Sequence, residues 1–177
     1  ALIGADSDTI HYLPFPDKES QYLNQQTIEA NRIQANRDPA QTELAQWIRF
    51  SNDEAAKYRD GLTTASMEIG GLPGWIVRNF YDKASVTKTD FREQGLRKVE
   101  EQVAKSAGWL VITSKDESVE TLLDTGRRFQ RLFLKVREKG IAIHPMTQIL
   151  EERQTSQTVN KGIGIGDKIQ FLLRVGY

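Results

Sequence analysis

The segment Asp116–Glu152, DESVETLLDTGRRFQRLFLKVREKGIAIHPMTQILEE, constrains the fold more than any other. It reads as a long helix, a glycine stop, a short extended passage and a second helix entered through proline. Val119, Leu122, Leu123, Phe129, Leu132, Phe133 and Val136 recur at the three- and four-residue spacing of a buried stripe. Asp116 is the expected N-cap, and Glu117 and Glu120 suit the positive end of the helix dipole. Lys135, Arg137 and Lys139 suit the other end, and Gly140 supplies the residue after the C-cap. Ile141 to Ile143 reads as a buried strand or extended passage. His144-Pro145 then forces an extended residue before the next turn. A corner of this kind places backbone groups at the edge of the core, where a flat cofactor can be held.

The remaining chain supplies strands and helices in mixed order. Asp8 to Phe15 is rich in β-branched and aromatic residues and reads as a strand. Tyr22 to Gln34 reads as a helix marked by Leu23, Ile28 and Ile33. Asp38-Pro39 looks like an N-cap followed by a first-turn proline. Leu44, Trp47, Ile48 and Tyr58 form the expected buried side of that helix, with Arg49 a solvated charge. From Arg59 to Tyr81 glycines break the periodicity, and the aromatics Trp75, Phe80 and Tyr81 follow. This region is expected to be a lid-like loop or an ordinary surface excursion. Phe91 to Ala107 is helical, and Gly108 ends it. Trp109 to Thr113, WLVIT, is continuously apolar, as a strand covered on both faces must be. Met146 to Arg153 and Thr155 to Lys161 read as short helices, and Lys168 to Val175 as the last strand. These elements predict one α/β or α+β layered domain over residues 1–177.

Composition narrows the function classes. The 24 basic and 24 acidic residues cancel, which argues against a dedicated nucleic-acid binder. Cysteine is absent, so disulfides and thiolate chemistry are excluded. No apolar run approaches the ~20 residues of a membrane span, and no signal peptide is visible. The expected setting is cytoplasmic, with no membrane partner. Both ends read as cut, as if from a longer polypeptide.

Few motifs carry chemistry. GIGIGD at Gly162–Asp167 is not GxGxxG and reads as a loop rather than a phosphate cradle. His11 and His144 are the two histidines, and no metal-ligand spacing or nucleophile motif is present. Arg127 and Arg128 could bind an anion, although a solvated helix face explains them as well. The best polar cluster is His144-Pro145-Met146-Thr147-Gln148. Its amides precede or open a helix and are expected to point outward as donors. A flavin ring presents O4 and N5 as matching acceptors, whereas a capped helix start alone would produce the same local pattern.

An ordered set of segments resembles the nitroreductase superfamily, most closely its Acg-type branch. These are ELAQWIRF (Glu43–Phe50), RDGL (Arg59–Leu62), LPGWIVR (Leu72–Arg78), SAGWLVITS (Ser106–Ser114), DTGRRFQRLFLKVREKGIAIHPMTQILEE (Asp124–Glu152) and QFLLRVGY (Gln170–Tyr177). The resemblance implies an α+β fold with a central, mainly antiparallel sheet wrapped by helices. It implies FMN beside the long helix, at a dimer-like interface, with His144, Pro145, Met146, Thr147 and Gln148 as the cofactor-binding positions. It implies hydride transfer from NAD(P)H through FMN to a nitro, quinone or similar acceptor, with no dedicated catalytic acid or base. The irregular Arg59–Tyr81 region matches the family's variable lid. The family's phosphate-gripping basic groups have no counterpart here, so the chain is expected to pair as a homodimer or with a complementary N-terminal half. The alternative is a flavin-binding, sequestering or dimerising module without turnover.

Overall fold

A computed structural model describes residues 3–4, 7–67 and 69–176. The architecture is α+β, 58% helical and 17% strand. The chain resolves into two compact units, residues 1–32 with 98–177, and residues 33–97.

The first unit is built on a four-stranded antiparallel sheet in the order β1 (Ile10–Pro14), β4 (Gly108–Ser114), β6 (Lys168–Gly176), β5 (Ala142–Pro145). Both neighbours of β4 are antiparallel, with Ile10 opposite Ile112 on one side and Trp109 opposite Arg174 on the other. All seven β4 residues are buried. The unbroken WLVIT run follows from this position. Trp109 and Val111 join one core with Leu23 and Ala30 of α1 (Lys18–Ala35), Val103 of α6 (Thr89–Ala104) and Ile149. Leu110 and Ile112 point the other way, into a core with Leu132 and Val136 of α7 (Val119–Glu138). With both faces covered there is no polar alternation to read. Each fully buried large aliphatic side chain contributes about 1.5–3 kcal/mol.

Helix α7 is capped by Ser118, whose hydroxyl accepts from the Thr121 N–H; Asp116 instead accepts from the Ser118 N–H at 2.9 Å. Within α7 only Thr125, Leu132 and Val136 are buried. The sheet reaches the C-terminal half of the helix, and Val119, Leu122 and Leu123 remain exposed. Gly140 does follow the helix with φ +70°, as its spacing requires. Of the two readings of Ile141–Ile143, a buried strand or an extended passage, the extended one holds: β5 is a largely exposed edge strand, with Ile141 and Ile143 partly buried against the core. The helix expected over Met146–Arg153 is broken at Glu152, giving α8 (Gln148–Glu151) and α9 (Arg153–Ser156), with α10 (Val159–Ile163) after them. Helix α6 stops at Ala104, and Gly108 opens β4 rather than ending the helix.

The second unit holds α2 (Asp38–Trp47), the parallel pair β2 (Ile48–Arg49) and β3 (Leu62–Thr63), α3 (Asn52–Tyr58), α4 (Gly71–Phe80) and α5 (Lys83–Val86). Ala45, Ile48, Phe50 and Val86 form its core. Arg37 is the N-cap of α2, which places Asp38 and Pro39 in the first turn. Helix α2 ends at Trp47 and the backbone turns extended at Ile48, so the helical phase stops there. Trp47 and Tyr58 are half exposed, while Arg49, expected in solvent, is buried. The Arg59–Tyr81 region is not one loop: it contains β3 and the ten-residue helix α4.

Candidate functional site

The corner at 144–148 lies in the first unit, where β5 leaves the sheet and α8 begins. Its five residues go to different places. His144 stands opposite Arg174 on β6 and accepts a hydrogen bond at Nδ1 from Arg174 Nε at 3.0 Å. Pro145 is exposed on the same edge strand, paired with Leu173. Met146 turns inward and is buried in the core beside Ile149. Its N–H donates to the Leu172 carbonyl at 2.8 Å, so this amide closes the sheet and does not face outward. Thr147 is the N-cap of α8, without a side-chain cap bond, and Gln148 is the first helical residue.

Thr147 opens onto a cavity of about 500 Å³. Leu150 of α8, Asn160 of α10 and Gln170 and Phe171 of β6 also line it. Each is fixed by the fold around it. Asn160 Nδ2 donates to the Ile165 carbonyl at 3.1 Å and the Asp167 carbonyl at 2.6 Å. These bonds hold the GIGIGD segment as the link between α10 and β6. Gln170 Nε2 donates to Ser114 Oγ at 2.9 Å, tying it to the end of β4. Phe171 stacks on Phe129 of α7, with ring centroids 4.7 Å apart.

Charge at the cavity is mixed. Glu117, Glu151 and Lys168 line it, and Lys168 is paired with Glu117. Gln148 Oε1, outside the cavity lining, is buried with no hydrogen-bond partner among the described residues. A buried amide oxygen left unpaired costs about 1–3 kcal/mol, so it marks a place where an added donor would be stabilising.

Of the positions expected from sequence, Thr147 lines the cavity, and Gln148 follows it in the chain outside that lining. His144 and Pro145 are on the exposed edge strand, and Met146 is in the core. Arg128, one of the two possible anion-binding arginines, is paired with Asp124 at 2.6 Å and donates to Thr9 Oγ1 at 3.0 Å. His11 lies in β1 opposite Val111, half-buried within the sheet. Among the described residues, no group of three or more His, Asp or Glu side chains is placed to hold a metal ion. No described helix is long and apolar enough to cross a membrane. Asn160 stands in the five-residue α10 and Gln170 in the nine-residue β6, and no local pattern links either to Thr147, because only sheet and loop closure brings them together.

Comparison with protein-family models, with curated proteins and with solved structures finds no match in any of the three.

Proposed function

We propose that the chain is an FMN-binding, nitroreductase-like oxidoreductase module whose flavin ring lies at the Thr147–Gln148 corner. The observation that carries the reading is the position of Thr147. It belongs to the segment that most resembles the family's ring-contacting loop, and it lines a cavity of about 500 Å³. That volume falls within the ~300–1,000 Å³ usual for cofactor and small-molecule sites. The Thr147 and Gln148 amides open α8 and supply donors for ring acceptors.

These residues suit the ring and not the phosphate. Among the described residues lining the cavity the basic one is Lys168, and its charge is already matched by Glu117. A phosphate group therefore needs cations from outside this lining, from a second copy or a complementary half. Bound flavin would supply hydride acceptance from NAD(P)H and delivery to a nitro, quinone or similar acceptor. The chain's own share is to position the ring edge through Thr147 and Gln148 and to wall one side with Phe171.

The weak phosphate grip favours a second reading, a module that holds flavin without turnover. An absorbance spectrum of the purified protein before and after addition of FMN tests the first step. Retained flavin bands on a chain of the expected intact mass support the site. A protein that stays colourless in excess FMN overturns it. Oxidation of NAD(P)H with a nitroaromatic acceptor then separates an oxidoreductase from a holding module.

A further inference from the structure

The polar side chains that line the cavity have most of their protons already committed. Asn160 Nδ2 donates to two carbonyls, those of Ile165 and Asp167. Only the amide nitrogen can do this, so the side chain has one possible orientation and Oδ1 is the atom left for a ligand. The Gln170 amide is fixed by a relay. Ser114 Oγ donates to the Asp116 carbonyl at 2.8 Å, so its proton is spent and it can only accept from Gln170 Nε2. Gln170 therefore keeps Oε1 and one amide hydrogen. Ser156 Oγ donates to the Arg153 carbonyl at 3.3 Å and keeps its lone pairs.

Charge points the same way. Lys168 is the basic residue among the described lining, and Glu117 holds it, while Glu151 brings a second carboxylate. The lining thus offers acceptors in excess: two amide oxygens, a serine oxygen and two carboxylates. Against them stand the Thr147 hydroxyl, one Gln170 hydrogen and an ammonium already matched. A ligand that suits such a wall brings donors, and a hydroxyl-bearing chain brings them without charge. A phosphate group brings acceptor oxygens and close to two negative charges. Facing acceptors, it loses its hydration and gains no partner, which is how a site rejects a wrong ligand.

We infer that the cavity takes flavin in its phosphate-free form, riboflavin, whose ribityl hydroxyls donate to Asn160 Oδ1 and Gln170 Oε1, and that it discriminates against FMN. The inference rests on the flavin reading above and narrows it to the member of the class that needs no phosphate grip.

Three flavins with one ring test it, each titrated onto the purified chain and followed by quenching of flavin fluorescence. Lumiflavin has the ring alone, riboflavin adds the ribityl hydroxyls, and FMN adds the phosphate. Riboflavin is expected to bind at least about tenfold more tightly than either of the others, equivalent to ~1.4 kcal/mol. FMN binding as tightly as riboflavin overturns the inference and leaves the flavin reading standing. Lumiflavin binding as tightly as riboflavin overturns it too, because the hydroxyls then contribute nothing. If none of the three binds, the flavin reading itself fails and the inference falls with it. Glu117→Gln keeps the size and releases Lys168, so FMN should gain on riboflavin by about threefold, in the range of an exposed ion pair. An unchanged ratio would mean that the lining charge does not exclude the phosphate. Gln170→Leu, with unchanged far-UV circular dichroism, should weaken riboflavin and not lumiflavin; equal losses for both would remove Gln170 from the hydroxyl contacts.

Discussion

Arg49 and Asp60 form a forked ion pair: Nε and Nη2 of the arginine both donate to Oδ1 of the aspartate, at 2.9 and 2.7 Å. The arginine side chain is 9% exposed and the aspartate side chain 48%. A third guanidinium nitrogen, Nη1, donates to the Gln46 carbonyl at 2.7 Å, and the group lies 4.9 Å from the centre of the Tyr58 ring. The pair ties the end of β2 to the turn before β3. Removing Asp60 leaves a buried cation with one anchor fewer. Because the aspartate is half in water, the expected loss for Asp60→Ala is near the low end for a charged hydrogen bond, about 1–1.5 kcal/mol. Adding Arg49→Met removes the stranded charge and should recover part of that loss. Urea unfolding of the two single variants and the double variant measures both; strict additivity would show that the two residues do not interact.

Trp109 is fully buried at the centre of the sheet, and its indole N–H donates to Asn24 Oδ1 of α1 at 2.8 Å. Asn24→Leu keeps the branched shape and removes the acceptor, together with the Nδ2 donor to the Val103 carbonyl. The expected cost is about 1–3 kcal/mol, the penalty of a buried donor without a partner. Tryptophan fluorescence during denaturation reports it; an unchanged midpoint would mean that water or another group satisfies the indole.

Thr147→Trp fills the cavity from its wall, and Gln148→Pro removes an amide donor at the first helical position while forcing Thr147, now at ψ 2°, toward extended backbone. Thr147→Trp should fold normally, Gln148→Pro should disturb only this turn, and both should bind flavin at least about tenfold more weakly, ~1.4 kcal/mol. Titration of FMN followed by fluorescence quenching compares them with the parent chain. Equal affinity in both would move the ring away from this corner.

Asp82 caps the short helix α5 by accepting from the Ser85 hydroxyl and from its N–H, at 2.8 and 2.9 Å. The side-chain hydrogen bond from Ser85, then the backbone one, hold its carboxyl below the ordinary value of 3.8. A depressed carboxyl favours the folded state above its unfolded pKa, and the benefit disappears as pH falls through the folded value. Protection of the Ser85 amide should therefore be level above about pH 4 and decline below it. Carboxyl-carbon chemical shifts across an acid titration locate the Asp82 midpoint. A midpoint at or above the ordinary value would contradict the cap.

Local rules in the sequence settle those features that depend on neighbours along the chain. The strand at WLVIT, the stop at Gly140 and the extended His144-Pro145 step follow from apolar runs, backbone freedom at glycine and the steric limit before proline. The α+β mixture follows from the alternation of such segments. Tertiary structure decides which of two possible partners an apolar residue meets. Seven apolar residues on α7 look like one stripe, yet the sheet extends under Leu132 and Val136 and not under Val119 or Leu123. Trp47 and Arg49 exchange their expected environments because α2 stops and β2 begins between them, turning the buried direction from a helical to an extended register. The candidate site divides in the same way. The corner at Thr147 and Gln148 is legible because it is continuous in sequence. Its cavity is not, because Asn160 and Gln170 arrive through sheet pairing and loop closure, and burial and geometry of that kind leave no periodic trace in the chain.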